Sequence, residues 1–147
     1  MGTTDDNHDL AGLVLSDGTY YILYTVSQSI DLAGAIQGTG QVSGDQFIST
    51  NAIDFNFQGA GVNSATAESK VVTGKSMIGT LRYASGKSVS YIANYDADYE
   101  KKPSLGIVAG RYAGKVKTSA GDEPADLEVA ADGTLDGRGI SGCAITG

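Results

Sequence analysis

Apolar and polar residues alternate along most of this chain in short stretches, a pattern that predicts β-strands. The alternation is clear at residues 89–95, where Val, Tyr, Ala and Tyr occupy the odd-numbered positions. Glycine-containing turns separate the stretches, and 21 glycines against 2 prolines favour turns over disorder. Nine to eleven short strands are expected, and the clearest lie at residues 13–15, 19–26, 34–42, 46–57, 65–72, 77–83, 89–95, 111–117, 125–130 and 140–145. The chain is therefore predicted to be all-β.

Short turns connect these stretches in chain order. Asp17-Gly18 separates the first two, and an Asp-Gly pair between apolar stretches is a strong signal of a β-hairpin. An antiparallel meander is therefore predicted, closed as a small up-and-down, lipocalin-like barrel. Closure is favoured because a barrel has no exposed edges, and few prolines or inward lysines protect an open sheet here. A β-sandwich is the alternative fold. Residues 103–109, which begin with a proline, predict one short helix.

Residues 53–57 show a regular alternation of apolar and polar side chains. Ile53, Phe55 and Phe57 alternate there with Asp54 and Asn56. One face of such a strand packs against a core and the other meets water. The sequence therefore predicts that the three apolar residues face the core and that the two polar residues face solvent.

The length and charge of the chain limit its organisation and its partners. A chain of 147 residues fits one domain, assigned here to residues 10–147, with residues 1–9 as a polar linker or flexible terminus. The chain still reads as strand near Gly147, so a domain truncated at that end is an open interpretation. The formal net charge of -7 disfavours nucleic acid and anionic lipid as partners. No apolar stretch approaches the roughly 18 residues of a membrane span.

Side chains that commonly carry catalysis are scarce. The chain has one histidine, His8, and one cysteine, Cys143. His8 lies in an acidic segment at the start of the chain, which is interpreted as a frayed terminus. Cys143 is predicted to be a buried, inert thiol, and the alternative is a disulfide partner outside this chain. A non-catalytic protein without a cofactor is therefore expected.

A weak candidate for a metal site lies at Asp96, Asp98 and Glu100. Their carboxylates occupy alternate positions, as oxygen ligands do in calcium loops. The segment lacks the glycine and the distal glutamate of an EF-hand, and a solvated loop explains it as well. A metal-dependent enzyme is accordingly the third of the functions considered.

Tyrosine is the most abundant aromatic residue, with eight copies against three phenylalanines. Its flat apolar ring and polar hydroxyl suit ligand cups and protein interfaces, although sheets also favour it for ordinary packing. The residues selected as candidates for binding a ligand or partner are Tyr20, Tyr24, Tyr91, Tyr95 and Tyr99.

Several motifs in the second half of the chain carry a resemblance to a known group of proteins. They are Tyr95 to Tyr99 followed by Pro103-Ser104-Leu105, Gly110 to Gly114, Asp132-Gly133-Thr134, and Gly139 to Cys143. In these motifs the chain resembles uncharacterised lipoproteins of Gram-negative bacteria. The resemblance implies a small β-barrel domain in the periplasm or at the outer membrane, tethered by a lipidated cysteine upstream of a polar linker. It implies no catalytic residue, and membrane contact only through that anchor.

The expected function is a non-catalytic cell-envelope module that binds or interacts with an unknown protein. All-β patterning, acidity and tyrosine-rich strands motivate this hypothesis. The alternative is a lipocalin-like carrier that holds a small apolar ligand inside the barrel. The two differ in where the contact surface lies, because a carrier needs an open interior and an interaction module needs an exposed face.

Overall fold

The computed structural model describes residues 1–118 and 120–147, and it confirms the prediction of an all-β fold. The chain divides into two compact units, Met1–Ala97 and Asp98–Gly147. One hydrogen-bonded sheet ends at Asn94 and a separate sheet begins at Gly110, while the single domain predicted for residues 10–147 stays a prediction.

The first unit is a closed β-barrel, as the sequence predicted. Its strands are β1 (Gly2–Thr4), β2 (Asp9–Val14), β3 (Thr19–Thr25), β4 (Leu32–Thr39), β5 (Gln41–Ser43), β6 (Gln46–Asn56), β7 (Gly61–Val72), β8 (Ser76–Tyr83) and β9 (Ser88–Asn94). Neighbouring strands pair antiparallel in an up-and-down meander. β4 pairs with β6, and β9 pairs with β1, so that eight strands close the barrel while β5 extends one end of β6.

The start of the chain is part of the barrel, and the predicted linker at residues 1–9 is wrong in this respect. β1 pairs with β2 on one side and with β9 on the other. Directly before β1, the carbonyl oxygen of Met1 accepts a hydrogen bond of 2.8 Å from the backbone N–H of Asn94. A strand of three residues is too short to show the alternation from which the other strands were predicted.

The barrel interior is filled by side chains. The buried core residues are Leu10, Tyr20, Ile36, Phe47, Ala52, Ala65, Ala67, Leu81 and Tyr91. The rings of Tyr20 and Phe47 meet edge to face, with 5.6 Å between their centroids. Small alanines and large aromatic rings together fill the barrel, as expected for an eight-stranded barrel whose interior just accommodates its own side chains.

Glycines in β4 make room for the largest of these rings. A Cβ atom at Gly38 would lie 2.6 Å from the hydroxyl oxygen of Tyr20, closer than real Cβ contacts come. A Cβ atom at Gly34 would likewise collide with the Tyr24 ring and with the backbone of Phe55. β4 therefore needs glycine at these two positions because aromatic side chains of β3 lie against its backbone.

A β-bulge in β6 decides which residues of this strand face the core. The register with β7 shifts between Ser49 and Ala52. Beyond the bulge Asp54 lies inside, 4% exposed, whereas Phe55 is 39% exposed on the outside. The orientation predicted for residues 53–57 is thus wrong. Alternation shows which residues share a face, but a shift of one residue exchanges the two faces.

The described part of the second unit forms a four-stranded antiparallel sheet. Its strands are β10 (Gly110–Thr118), β11 (Gly121–Val129), β12 (Leu135–Gly139) and β13 (Ala144–Thr146), paired in chain order. A one-turn helix, α1 (Leu105–Val108), lies within the predicted range 103–109. A 3-10 turn at Ala97–Glu100 is an addition to the predicted elements.

Cys143 is exposed, so the predicted burial of its thiol is wrong. The sequence assigned residues 140–145 to one apolar strand, but β13 begins only at Ala144. A turn precedes it, in which the N–H of Gly142 donates to the carbonyl of Gly139 at 2.9 Å. Cys143 follows this turn directly and therefore lies outside the packed part of the sheet.

Candidate functional site

Two of the five candidate tyrosines lie inside the barrel. Tyr20 is 2% exposed and Tyr91 is 7% exposed. The hydroxyl of Tyr20 pairs with Ser49 Oγ at 3.0 Å, and that of Tyr91 pairs with Ser69 Oγ. Burial raises the pKa of both hydroxyls. Neither ring lies on the outer surface, where a protein partner would bind, and their selection as ligand- or partner-binding residues stays a prediction.

Tyr24 belongs to a polar cluster at one end of the barrel. Its hydroxyl donates to Asp54 Oδ1 at 2.8 Å, and the hydroxyl of Tyr83 donates to Asp54 Oδ2 at 3.0 Å. Asn56 Nδ2 donates to the Tyr24 hydroxyl at 3.3 Å. Burial, together with the adjacent Asp54 carboxylate, raises the pKa of Tyr24 and of Tyr83 far above the usual range. The two hydroxyls thus satisfy both oxygens of a buried carboxylate, which is a structural arrangement.

The acidic segment that contains His8 forms an ordered turn at the same end of the barrel. His8 Nδ1 lies 2.5 Å from the carbonyl oxygen of Thr25, and its ring meets Tyr24 edge to face. Asp6 accepts hydrogen bonds from Thr4 Oγ1 at 2.7 Å and from Lys87 Nζ at 3.0 Å. Partial burial by itself would raise the pKa of the Asp6 carboxyl. The two hydrogen bonds and the nearby charges outweigh this effect, so the pKa of Asp6 is lowered. The interpretation of this segment as a frayed terminus is therefore wrong.

The other two candidate tyrosines are accessible. Tyr95 follows β9 and is 41% exposed, and Tyr99 lies in the 3-10 turn and is 55% exposed. They belong to different units of the chain. Each remains a candidate for contact with a partner on its own.

The carboxylates of Asp96, Asp98 and Glu100 are not brought together as a metal site. In residues 1–118 and 120–147, no three His, Cys, Asp or Glu side chains are close enough to hold a metal ion. Asp98 forms an ion pair with Lys101 at 2.7 Å. Residues 97–100 form a 3-10 turn, with three residues per turn, so side chains two positions apart point in different directions.

The outer surface of the barrel carries an apolar area that the sequence analysis missed. Cross-strand pairing aligns outward-facing residues of β2, β3, β4, β6 and β7 in two adjacent rows. The first row is Ala11, Leu23, Ala35, Phe55 and Val62, and the second is Leu13, Tyr21, Gln37, Ile53 and Ser64. We call these ten positions the apolar wall. Eight of them are apolar and none is charged.

Large side chains of the apolar wall are open to solvent. Leu13, Tyr21 and Leu23 are 43 to 45% exposed, and Val62 is 67% exposed. The outer surface of β7 and β8 beyond the wall differs, because it carries charged pairs. Arg82 pairs there with Glu68 at 3.1 Å, and Lys70 pairs with Asp45 at 3.5 Å. The barrel therefore has an uncharged apolar wall and, beside it, a surface with ion pairs, which we call the charged side.

Carboxylates lie at the ends of the strands β2, β3 and β4 of the apolar wall. Residues 1–69 contain no lysine or arginine. Asp9 lies on the same outward face of β2 as Ala11, Asp31 directly precedes β4, and Asp17 lies in the turn between β2 and β3. All three are exposed. A surface that binds to the wall thus meets apolar side chains at the centre and carboxylates at the rim along β2, β3 and β4.

One sequence signal could have revealed this wall. β3 is apolar on both faces, with Tyr20 and Ile22 directed inward and Tyr21 and Leu23 directed outward. Strands that read as continuous apolar runs are typically covered on both sides. The apolar outer face of β3 is therefore the signal for a surface that another element or a partner covers.

None of the helices among the described residues has the length and apolarity that crossing a bilayer requires. Comparison of the chain with protein-family models, with curated proteins and with solved structures finds no match.

Proposed function

We propose that the chain is a non-catalytic interaction module whose barrel binds a partner protein through the apolar wall. The observation that carries this proposal is the pair of uncharged rows across five strands. Continuous exposed apolar patches with a polar rim mark interaction sites in proteins whose other surfaces are charged. Tyr21 and Phe55 supply aromatic rings of the kind that dominate the energetics of protein interfaces.

The packed interior supports this function over that of a carrier. A lipocalin-like carrier needs space for its ligand between the strands. The interior here holds the rings of Tyr20, Phe47 and Tyr91 together with smaller apolar residues. A metal-dependent enzyme at Asp96, Asp98 and Glu100 draws no support from a turn that separates their carboxylates.

The cell envelope of a Gram-negative bacterium is the location we propose for this module. This part of the proposal rests on the resemblance of the second half of the chain to envelope lipoproteins. A lipid anchor would hold the domain at a membrane surface. The domain could then present its accessible protein-binding face to other envelope proteins.

Site-specific photo-cross-linking tests the proposed binding face. A p-benzoylphenylalanine residue replaces Leu23 or Phe55 in the apolar wall, and the protein is irradiated in its own host. The matched controls carry the same residue in place of Ile78 or Ile92, which are 54% and 45% exposed on β8 and β9. We expect discrete cross-links to another protein from positions 23 and 55, and weaker, diffuse products from positions 78 and 92.

The experiment also contains the outcome that contradicts the proposal. Equal cross-linking from both sides of the barrel, or no protein cross-link from positions 23 and 55, would remove the apolar wall as the binding face. Far-ultraviolet circular dichroism of each variant shows that the barrel is still folded when the result is interpreted.

A further inference from the structure

We infer that the partner of the apolar wall is a protein whose own binding face has an apolar centre and a rim of lysine or arginine. This inference rests on the proposed function and adds the chemistry of the partner. It concerns the charges around the wall, whereas the proposed function concerns the apolar residues within it.

The first step is the uneven distribution of charge in the barrel unit. All of its lysines and its arginine lie at positions 70, 75, 82 and 87. Lys70, Arg82 and Lys87 form ion pairs with carboxylates of their own unit. The strands that carry most of the wall therefore have carboxylates near them and no cationic group of their own.

The second step concerns the carboxylates at the rim. Asp9, Asp17 and Asp31 are exposed, and residues 1–69 offer no lysine or arginine to neutralise them. Binding of a flat partner surface would bring these carboxylates close to the partner's rim. Like charges brought together at an interface cost free energy, whereas opposite charges accelerate association and select the correct partner.

A second copy of the chain fits this surface poorly. A symmetric pair places the same patch on both subunits. Two apolar walls in contact would bring the aspartates of one rim close to the aspartates of the other, with no basic residue of segment 1–69 to separate them. The same carboxylates repel an anionic lipid surface. A cationic protein face is the remaining occupant that matches both the apolar centre and the acidic rim.

The partner recovered by cross-linking from Leu23 or Phe55 is purified, and its association with the intact chain is measured by stopped-flow fluorescence. The test variant is Asp9→Lys/Asp31→Lys, which reverses two rim charges. The matched control is Asp45→Lys/Glu68→Lys, which changes the net charge equally on the charged side of the barrel. Its two lost ion pairs are exposed, so their loss should leave the barrel folded.

We expect the rim variant to lower the association rate at low salt by about tenfold, within the range by which steering accelerates association. The control variant should change the rate by clearly less than the rim variant. In about 1 M salt, where the Debye length falls to about 3 Å, the rates of all proteins should converge. Mapping the cross-link on the partner should show lysine or arginine around the attached site.

Equal rates for the rim variant and the original chain at low salt would overturn the inference and leave the proposed function standing. An acidic partner face, or a cross-link only to lipid, to a second copy or within the same chain, would also overturn it. If the rim variant does not fold by circular dichroism, the salt dependence of the unsubstituted chain decides. Association that slows as salt rises supports the inference, and association independent of salt contradicts it.

Discussion

At the scale of single residues, the barrel interior combines aromatic rings with polar groups that all have partners. Tyr20, Tyr24, Tyr83 and Tyr91 each direct a hydroxyl to a serine or to Asp54. Among the described residues, no buried side-chain nitrogen or oxygen lacks a hydrogen-bond partner. Such an interior stabilises one arrangement of strands, because an unpaired polar group inside the barrel costs about 1–3 kcal/mol.

These tyrosines predict a loss of stability in alkaline solution. The pKa of all four is raised in the folded protein, first by burial. Their contribution to stability is therefore fully present below pH about 10, the tyrosine pKa of an unfolded chain, and is lost as the pH rises from there towards the folded pKa. Each group lowers the free energy of unfolding by about 1.4 kcal/mol per pH unit in that window.

Urea unfolding at several pH values above neutrality, read by circular dichroism, measures this slope. In Tyr24→Phe the free energy of unfolding should fall less steeply with pH, by the slope that one proton contributes, since the substitution removes one of the four groups. Near-ultraviolet absorbance at a pH somewhat above about 10 should show that these four tyrosines are still protonated in the folded chain. Ionisation of all eight with the fold intact would contradict the assignment.

The glycines behind the rings lead to a second prediction at this scale. Gly38→Ala should lower the free energy of unfolding by about 1–3 kcal/mol, the usual cost of overpacking. The reason is the Tyr20 ring, whose hydroxyl oxygen would lie 2.6 Å from the new Cβ. Gly12→Ala is the matched control, because a Cβ there would meet its nearest neighbour, Ile22 Cγ1, at 3.5 Å, an ordinary contact. Equal effects of the two substitutions in urea unfolding would disprove this explanation.

The sequence was informative about residue type and less so about direction. Period-two spacing correctly placed Val89 and Tyr91 on one face. It could not show which face of residues 53–57 was the core, because the bulge that sets their orientation lies upstream, between Ser49 and Ala52. The inward direction of Asp54 depends on hydroxyl donors from β3 and β8, which are distant in sequence.

At the scale of elements, the bulge in β6 is held by a side chain that replaces strand pairing. Asn51 Oδ1 accepts the backbone N–H of Thr39 at 3.0 Å, and Asn51 Nδ2 donates to Thr39 Oγ1 at 2.7 Å. Ser49 Oγ donates to the same Asn51 oxygen at 3.2 Å. One side chain therefore ties the end of β4 to β6 at the point where the register shifts.

Asn51→Ala should accordingly destabilise the barrel by about 1–2 kcal/mol, the usual contribution of one to two hydrogen bonds. Thr50→Ala is the matched control, because Thr50 is an exposed neighbour in the same bulge. Amide hydrogen exchange locates the effect, and the N–H of Thr39 should lose protection in Asn51→Ala alone. Unchanged protection at Thr39 would show that the backbone, not Asn51, holds the bulge.

Most strands could be predicted because each carries its own alternation and ends in a turn. Prediction failed where an element lacks a local signal. β1 has three residues and is defined by β2 and β9 on either side of it. The apolar wall likewise has no local signal, because its rows exist only after five strands are aligned.

At the scale of the whole molecule, the barrel has its own hydrogen-bonded sheet and its own core within residues 1–97. Its strands and every residue of its buried cluster lie in this segment. The segment has the closed pairing and the interior that a domain needs to fold by itself. The basic residues of this segment lie only at positions 70, 75, 82 and 87, so a cationic partner would be attracted to the carboxylates of residues 1–69.

Segment 1–97 produced alone should therefore unfold cooperatively in urea, with coincident far- and near-ultraviolet circular dichroism transitions. Segment 5–97, which lacks β1, is the matched control and should be less stable, because β2 and β9 each lose a partner strand. A segment 1–97 without near-ultraviolet signal would show that the barrel depends on the rest of the chain.

The pairing of β1 with β9 has a consequence for the order of events during synthesis. β1 is the first barrel strand to leave the ribosome, yet one of its two partners, Ser88–Asn94, leaves last. At a translation rate of about 5–20 residues per second, β1 waits roughly 5 to 20 seconds for β9. During this time the nascent sheet has two open edges and an uncovered interior. The pairing of β1 with β9 forms last, so the nascent chain is most prone to aggregation just before its barrel is complete.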